Sequence, residues 1–240
     1  MDDKKLTVLL TRAKEDIQKD RVIFEKEGFK VVSLPLIDEE ALEFEPPEGK
    51  FDFVIFQSQK AVKYFLSRCA LSGKEKILAV GEKTKEMVER YGYTVWAVPA
   101  EYYGEELIKL LEGHSGRVLI PRSNIGREEV IKKLRQMGFE VFPLDVYQIK
   151  MVDHPAQELE EKLKASNFLV FASPSAVKSF FANLQKLNNK PSLKDKKIIC
   201  IGKTTKEQWE KLFNAECEVP KKPSMYEVLN TIKRLASFLQ

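Results

Sequence analysis

Hydroxyl and basic residues recur in short clusters directly after apolar runs of strand length. Serine and threonine hydroxyls donate hydrogen bonds, and basic side chains attract negative charge. Where a helix begins in the same cluster, free backbone N–H groups and a partial positive charge add to the attraction. This pattern predicts a site for carboxylate or phosphate groups, with the candidate substrate-binding residues Arg12, Ser58, Lys60, Thr84, Arg122, Ser123, Ser173, Ser175, Thr204 and Thr205.

Four of these hydroxyl residues have a simpler interpretation as helix caps: Ser58, Thr84, Ser173 and Thr205. Each stands where a helix is expected to begin, and serine and threonine are favoured at that position. Taken one position at a time, capping explains them well. Their symmetrical placement in two halves of the chain favours a bound ligand instead.

Other kinds of site have little support in the sequence. Neither a GxGxxG nor a GxxxxGK[ST] motif occurs, which argues against dinucleotide and P-loop binding. The two histidines, His114 and His154, have no metal partner at a suitable spacing, which argues against a metal site. The three scattered cysteines suggest packing residues in a reducing cytoplasm rather than a disulfide framework.

Charge and hydropathy narrow the range of partners. The formal net charge of +4 is too small and too evenly spread for a nucleic-acid surface. It suits an anionic small molecule, although solvated helix faces alone would explain it. No apolar run approaches the ~18 residues that a membrane span requires. Together with the scattered cysteines, these features predict a cytoplasmic protein, monomeric because nothing in the sequence demands a partner.

The elements that position these clusters occur twice. The stretch FDFVIFQSQKAVKYF at 51–65 reappears as SNFLVFASPSAVKSF at 166–180, and KILAVGEKTKE at 76–86 as KIICIGKTTKE at 197–207. The chain start, VLLTR at 8–12, matches VLIPR at 118–122. Because the matches keep the same order, the chain consists of two related halves.

Each half alternates short apolar runs with amphipathic stretches. Runs such as Val54–Phe56 and Leu169–Phe171 indicate strands buried on both faces, as in a parallel sheet covered by helices. Gly92 is placed to end one of the helices. The sequence thus predicts an α/β fold with two similar parallel-sheet, flavodoxin-like domains.

Two stretches break this rhythm, at 41–49 and at 147–157. Apolar and polar residues alternate there before a proline, which predicts half-exposed strands where the chain leaves a compact domain. We take them as the two strands of a linker. The expected domains are 1–38 plus 151–240, which is discontinuous, and an inserted domain of 39–150.

Tyr147 is the candidate catalytic residue. It falls on the return crossing, at the position that Ile37 occupies in the other copy of the repeat. A tyrosine hydroxyl can donate a proton or a hydrogen bond to a departing oxygen. The alternative interpretation, an aromatic ring that covers the edge of the sheet, stays open at this point.

Taken together, the motifs VLLTR, DFVIFQSQKAV, LAVGEKTKE, VLIPRSNIGREEVIKKLRQMGFEV, LDVY, FLVFASPSAVKSF and IICIGKTTKE resemble the uroporphyrinogen-III synthase family over essentially the whole chain. The resemblance implies an enzyme of tetrapyrrole and heme biosynthesis, a lyase that needs neither metal nor cofactor. It implies two α/β domains joined by a two-stranded linker, with the active site in the cleft between them.

The resemblance also implies a reaction. The substrate would be hydroxymethylbilane, a linear tetrapyrrole rich in carboxylates. Loss of the ring A hydroxyl, attack by the substituted carbon of ring D and re-closure through a spiro-pyrrolenine would invert ring D. Because uncatalysed closure gives the symmetric isomer, the enzyme's main task would be to hold one substrate shape.

By position, Tyr147 matches the family's tyrosine that assists departure of the hydroxide, and the family's cleft-facing hydroxyls fall on Ser58, Thr84, Ser173 and Thr205. Lys60 falls where relatives carry a basic or polar residue. Gln57 departs from the hydroxyl residue common there, which puts a role for its side chain in doubt. The alternative function is a non-catalytic two-lobed protein that binds an anionic small molecule and has no need of Tyr147.

Overall fold

The structure, a computed structural model, describes residues 5–99, 105–126, 128–189 and 191–237. The helices and strands within these ranges are, in chain order, β1 (Thr7–Leu10), α1 (Lys14–Lys26), β2 (Lys30–Ser33), β3 (Ile37–Ala41), β4 (Phe53–Phe56), α2 (Gln59–Leu66), β5 (Lys76–Ala79), α3 (Glu82–Arg90), β6 (Val95–Ala97), α4 (Glu105–Leu111), β7 (Arg117–Ser123), α5 (Glu129–Gln136), β8 (Glu140–Met151), α6 (Ala156–Ala165), β9 (Phe168–Phe171), α7 (Pro174–Gln185), β10 (Lys197–Cys200), α8 (Lys203–Phe213) and α9 (Met225–Ala236).

The chain forms two compact units, one of Met1–Asp38 with Lys150–Gln240 and one of Glu39–Ile149. We call them the terminal unit and the inserted unit. Each contains a sheet whose paired strands run parallel apart from the β3–β8 pair of the inserted unit's sheet, and helices follow most of the strands. The predicted α/β class with parallel sheets is confirmed.

In the terminal unit the strand order is β10-β9-β1-β2. The strands β1 and β9 are buried along their whole length, because they lie in the middle of the sheet with helices packed on it. Their side chains share a core with α1 and α9, through residues such as Ile17, Phe24, Val228 and Ile232. This arrangement explains why the runs are continuously apolar rather than alternating.

In the inserted unit the strand order is β3-β8-β7-β4-β5-β6. The central strand β4 is again fully buried, between β7 and β5. Alternate side chains of β4 enter two different cores, Phe53 and Ile55 on one side and Val54 and Phe56 on the other. Both faces of the sheet are thus covered, as the sequence pattern predicts.

The strands β3 and β8 connect the two units. Leu42 N donates to Val146 O at 3.1 Å and Val152 N donates to Leu36 O at 3.0 Å, so the two segments run antiparallel. The strand predicted at 41–49 is wrong in its position, since β3 covers Ile37–Ala41. The prolines that follow, Pro46 and Pro47, lack the N–H that a longer ladder would need.

Glycines end helices where the pattern predicts them. Gly92 directly follows the last turn of α3 and has φ +85°, a conformation that suits glycine because it has no Cβ. Within the described ranges, none of the helices has the length and apolar character needed to cross a membrane.

Candidate functional site

The carboxyl ends of the parallel strands in the inserted unit bring four predicted site residues to one edge of the sheet. Ser58 follows β4, Thr84 follows β5, and Ser123 ends β7. Tyr147 lies on β8 directly beside Ser123 in the strand register. Parallel strands bring their carboxyl ends to the same edge, where α/β proteins bind ligands. We call this set the inserted-unit edge.

Ser58 is the N-cap of α2. Its Oγ accepts a hydrogen bond from Ala61 N at 3.1 Å. Ser173 caps α7 in the same way, with its Oγ accepting from Ala176 N at 3.2 Å. The capping interpretation is therefore confirmed for both serines. Each still has its own O–H, because the cap uses only an acceptor lone pair.

Thr84 and Thr205 do not cap their helices. Glycines occupy the cap positions of α3 and α8, and the threonines are the third residue of each helix. Their residues are 4% and 2% exposed, respectively. Neither hydroxyl makes a hydrogen bond within the described part of the chain. The polar atoms of that part which are sealed from solvent and lack a partner do not include these two hydroxyls. Both hydroxyls thus keep their hydrogen-bonding capacity within the described part of the chain.

The carboxyl ends of β1, β9 and β10 form the corresponding edge of the terminal unit. Thr11 follows β1 and is used internally, because its Oγ1 donates to Val170 O at 2.7 Å. Ser173 and Ser175 begin the segment after β9, and Thr204 and Thr205 begin the one after β10. We call this set the terminal-unit edge; of these residues Thr204 is exposed and Thr205 is buried.

The basic residues predicted at the site are engaged by carboxylates. Arg12 contacts Asp16 at 3.1 Å and Asp20 at 2.8 Å. Arg122 donates through Nε to Asp145 at 3.0 Å and through Nη1 to Glu128 at 2.6 Å, and Lys60 is paired with Glu39. Their charge is therefore largely compensated within the protein.

In each arginine site one group has a shifted pKa: Asp20 beside Arg12, and Arg122 itself. Burial raises the pKa of Asp20, although the neighbouring Arg12 guanidinium lowers it. Burial lowers the pKa of Arg122, but hydrogen bonds to Glu128 and Asp145 more than compensate, and its pKa rises. Arg12 and Arg122 are the hydrogen-bond donors in these two sites. Their main contacts fix the loops that follow β1 and β7.

The ring of Tyr147 is held firmly while its hydroxyl stays available. The residue is 7% exposed and packs in a core cluster. Its ring stacks on that of Tyr64, with centroids 5.0 Å apart and planes 17° apart. The hydroxyl makes no hydrogen bond within the residues that the structure describes. It is not among their polar atoms that are sealed from solvent without a partner. A fixed phenol with a free O–H is a suitable proton or hydrogen-bond donor.

Two residues that support Tyr147 were missed in the sequence. Asn124 N donates to Tyr147 O at 3.0 Å, and Asn124 Oδ1 accepts from Ile149 N at 3.1 Å, so Asn124 holds β8 in place. Tyr64 supplies the stacked ring. Its counterpart in the repeat is the fully buried Ser179, so the difference between the copies was a usable signal.

The histidines have structural contacts. His154 lies between Pro35 O, 2.6 Å from Nε2, and Glu158, 3.3 Å from Nδ1. The ring of His114 packs edge-on against Phe53 at 5.6 Å. Among the described residues, no group of three or more His, Cys, Asp and Glu side chains is placed to hold a metal ion.

Comparison with known proteins connects this arrangement to one family. The family model described as uroporphyrinogen-III synthase HemD matches residues 19–230. The uroporphyrinogen-III synthase of Synechococcus elongatus is 26% identical over 72% of this chain and 73% of its own length. A Methanocaldococcus jannaschii protein, provisionally named uroporphyrinogen-III synthase, is 25% identical over 95% of this chain and 99% of its own.

Solved structures support the same fold. The uroporphyrinogen-III synthetase of Helicobacter pylori has a TM-score of 0.68 at 21% identity, over 96% of this chain and 99% of that one. A mutant uroporphyrinogen III synthase of Thermus thermophilus has a TM-score of 0.64 at 17% identity, over 97% and 99%. Since the family model covers most of the residues, the chain belongs to the uroporphyrinogen-III synthase family.

Proposed function

We propose that this protein cyclises hydroxymethylbilane to uroporphyrinogen III, inverting ring D through a spiro-pyrrolenine intermediate and releasing water. The observation that carries the proposal is the family match over residues 19–230. Loss of water with ring closure makes the enzyme a cyclising hydro-lyase. The reaction needs proton transfer and control of substrate shape, and we propose that it proceeds without a cofactor.

We propose that each of the two sheet edges binds carboxylates of the substrate. At the inserted-unit edge the donors would be the O–H groups of Ser58, Thr84 and Ser123. At the terminal-unit edge they would be Ser173, Ser175, Thr204 and Thr205. The first N–H groups of α2, α3, α7 and α8 add to them, except at Pro174, because the first turn of a helix leaves its donors without partners inside the helix.

The basic residues act in this proposal mainly by positioning. Arg12 and Arg122 are each held by two carboxylates, and Lys60 is held by Glu39. A basic side chain that is already paired with carboxylates gains less binding free energy from contact with a further anion. We therefore propose that they fix the loops of the two edges and add a weak positive potential for the substrate.

Tyr147 is the proposed catalytic residue. Its hydroxyl would donate a hydrogen bond or a proton to the hydroxyl that leaves ring A, which makes the departing group a better leaving group. Stacking on Tyr64 fixes the ring, so the donor is oriented before the substrate arrives. The azafulvene that results would then be attacked by ring D.

The decisive experiment supplies freshly generated hydroxymethylbilane to the purified protein and separates the uroporphyrinogen isomers that form. We expect the isomer with ring D inverted, at a rate above the spontaneous closure seen without protein. Only the symmetric isomer at the spontaneous rate would overturn the proposal. Substrate binding together with that outcome would favour a binding protein.

We also propose a cytoplasmic location and a monomeric state. The three cysteines are free thiols, as expected of a protein in a reducing compartment. Size-exclusion chromatography with light scattering tests the oligomeric state. A mass near 27.7 kDa is expected, and one twice as large would contradict a monomer.

A further inference from the structure

Cys200 and Cys217 lie together at the carboxyl end of β10. An isolated parallel bridge joins Ile199 to Glu218. In it Cys200 N donates to Glu218 O at 2.8 Å, and Glu218 N donates to Ile198 O at 2.9 Å. This register sets Cys217 opposite Ile198. Because side chains alternate between the faces of a sheet, Cys217 and Cys200 project from the same face as diagonal neighbours.

The two thiols have complementary environments. Cys200 is fully buried, whereas Cys217 is partly exposed. Interaction with the Cys217 thiol, together with burial, raises the pKa of Cys200. Interaction with Cys200 and with the nearby Lys206 ammonium lowers the pKa of Cys217, against the opposite effects of burial and Glu210. The thiolate is the reactive form of cysteine, so the accessible member of the pair is also the more nucleophilic one.

Cys69 provides an internal comparison. It lies in the inserted unit and is partly exposed, like Cys217. Burial, however, raises the pKa of Cys69, although the neighbouring Arg68 lowers it. Exposure alone would make Cys69 and Cys217 equally reactive. Only Cys217 has both a second thiol beside it and a cation that favours its thiolate.

We propose that Cys217 and Cys200 are a peroxide-sensitive pair that closes to an intrachain disulfide. The Cys217 thiolate attacks one oxygen of hydrogen peroxide, the O–O bond breaks, and hydroxide leaves, which gives a sulfenic acid on Cys217. The Cys200 sulfur then attacks that sulfur, and the S–OH oxygen departs as water with the Cys200 proton. Two thiols are oxidised and one peroxide is reduced.

The local backbone suits this closure. A disulfide needs Cα atoms roughly 4.4–6.8 Å apart, whereas diagonal neighbours on adjacent strands lie roughly 7–8 Å apart, so closure requires a small shift of the backbone. Cys217 lies in irregular chain held by a single bridge, so it can make the remaining shift without breaking a ladder. The bond would tie the segment after α8 to the end of β10.

This place in the fold connects the bond to the terminal-unit edge. Cys200 is the last residue of β10, and the chain continues directly through Gly202 to Thr204 and Thr205. A disulfide at Cys200 would therefore hinder adjustment of the loop that presents these threonines. This consequence rests on the proposed function, whereas the formation of the bond does not.

Thiol titration and peptide mapping after brief exposure to hydrogen peroxide test the pair. We expect two of the three thiols to be lost, a peptide containing Cys200 linked to one containing Cys217, and full recovery with dithiothreitol. The Cys69→Ser variant should form the same linked peptides and lose both of its thiols. The substitution Cys217→Ser changes a partly exposed residue, and it should leave Cys200 reduced. Oxidation of Cys69 first, a bond between two chains, or a stable sulfinic acid on Cys217 would overturn the proposal.

A second measurement separates this proposal from the enzymatic one. Isomer formation is followed with reduced, oxidised and re-reduced protein, and Cys217→Ser serves as the control that cannot close the bond. We expect oxidation to slow turnover reversibly in the wild type only. A disulfide without any change of turnover would contradict the coupling to the edge. A reduced protein without activity would contradict the proposed function and leave the mapped disulfide in place.

Discussion

The two copies of the repeat are alike after their β4 and β9 strands and different after β5 and β10. Ser58 has φ −158° and ψ 153°, and Ser173 has φ −158° and ψ 154°. Gly81 has φ +80° and ψ 152°, whereas Gly202 has φ −169° and ψ 178°. A serine cap fixes the backbone path through its hydrogen bond, while a glycine allows the two copies to take different paths.

Both paths nevertheless deliver a threonine to the third position of the following helix, buried and without a partner in the described chain. The position of the hydroxyl is thus common to both copies, although the turn before it is not. Tyr147 departs from the repeat, because the other copy has Ile37 there. Comparing the copies separates the hydroxyl positions proposed for binding, which both copies have, from the one residue proposed for catalysis.

Tyr147→Phe should have the largest effect. It removes only the hydroxyl and keeps the ring that stacks on Tyr64, so folding should be preserved. We expect turnover to fall by roughly 10²–10⁴-fold, the contribution of a positioned proton donor. Steady-state kinetics of isomer formation measures it. Tyr226→Phe, at a residue that is 67% exposed in the terminal unit, is the matched control. Full activity of Tyr147→Phe would assign catalysis to shape and backbone donors alone.

Thr84→Val and Thr205→Val should have similar effects on KM, because the two hydroxyls occupy equivalent positions. Each variant removes one donor to a carboxylate, a hydrogen bond of about 1.5–3 kcal/mol, so KM should rise roughly 10- to 100-fold. Substrate titration of both variants checks this. Thr231→Val, which removes a hydroxyl that donates to Glu227 O, tests for a general effect of the substitution. A rise of KM in only one of the two variants would mean that only that threonine contacts the substrate.

Gly81→Ala and Gly202→Ala should differ in stability. At Gly81 the backbone lies in a region that non-glycine residues reach at a cost of about 1–3 kcal/mol. At Gly202 the backbone is extended, and an added Cβ would meet Pro223 Cβ at an ordinary 3.6 Å. We expect Gly202→Ala to stay within ~0.5 kcal/mol of the wild-type free energy of unfolding. Urea denaturation measures both values, and equal losses would show that the difference in φ has no energetic weight.

Ser58→Ala and Ser173→Ala should have equal, smaller effects. Each loses one N-cap hydrogen bond, at about 1 kcal/mol of unfolding free energy. Ser58→Asp and Ser173→Asp keep an acceptor at the cap, so stability should recover. Because they add a negative charge at an edge proposed to bind carboxylates, KM should rise. Recovery of both stability and KM would restrict the serines to capping.

Much of the fold was readable in the sequence. The continuous apolar runs at Val54–Phe56 and Leu169–Phe171 require strands covered on both faces, and the ordered repeat requires two similar α/β halves. The linker was predicted less well. The strand expected at 41–49 lies at Ile37–Ala41 in the structure, because alternation alone does not fix where a strand begins.

The site divides in the same way. Sequence alone determined which residues follow the strands, and parallel pairing then requires those residues to share an edge. Only the tertiary structure decided that Ser58 and Ser173 cap helices, that Thr84 and Thr205 do not, and that the basic residues are paired with carboxylates. The two caps are local contacts, which the sequence leaves open because it also allows a ligand there, whereas the pairs Arg122–Asp145 and Lys60–Glu39 join separate segments of the chain. Local spacing predicts which groups reach an edge, and packing determines which of them keep a free hydrogen bond.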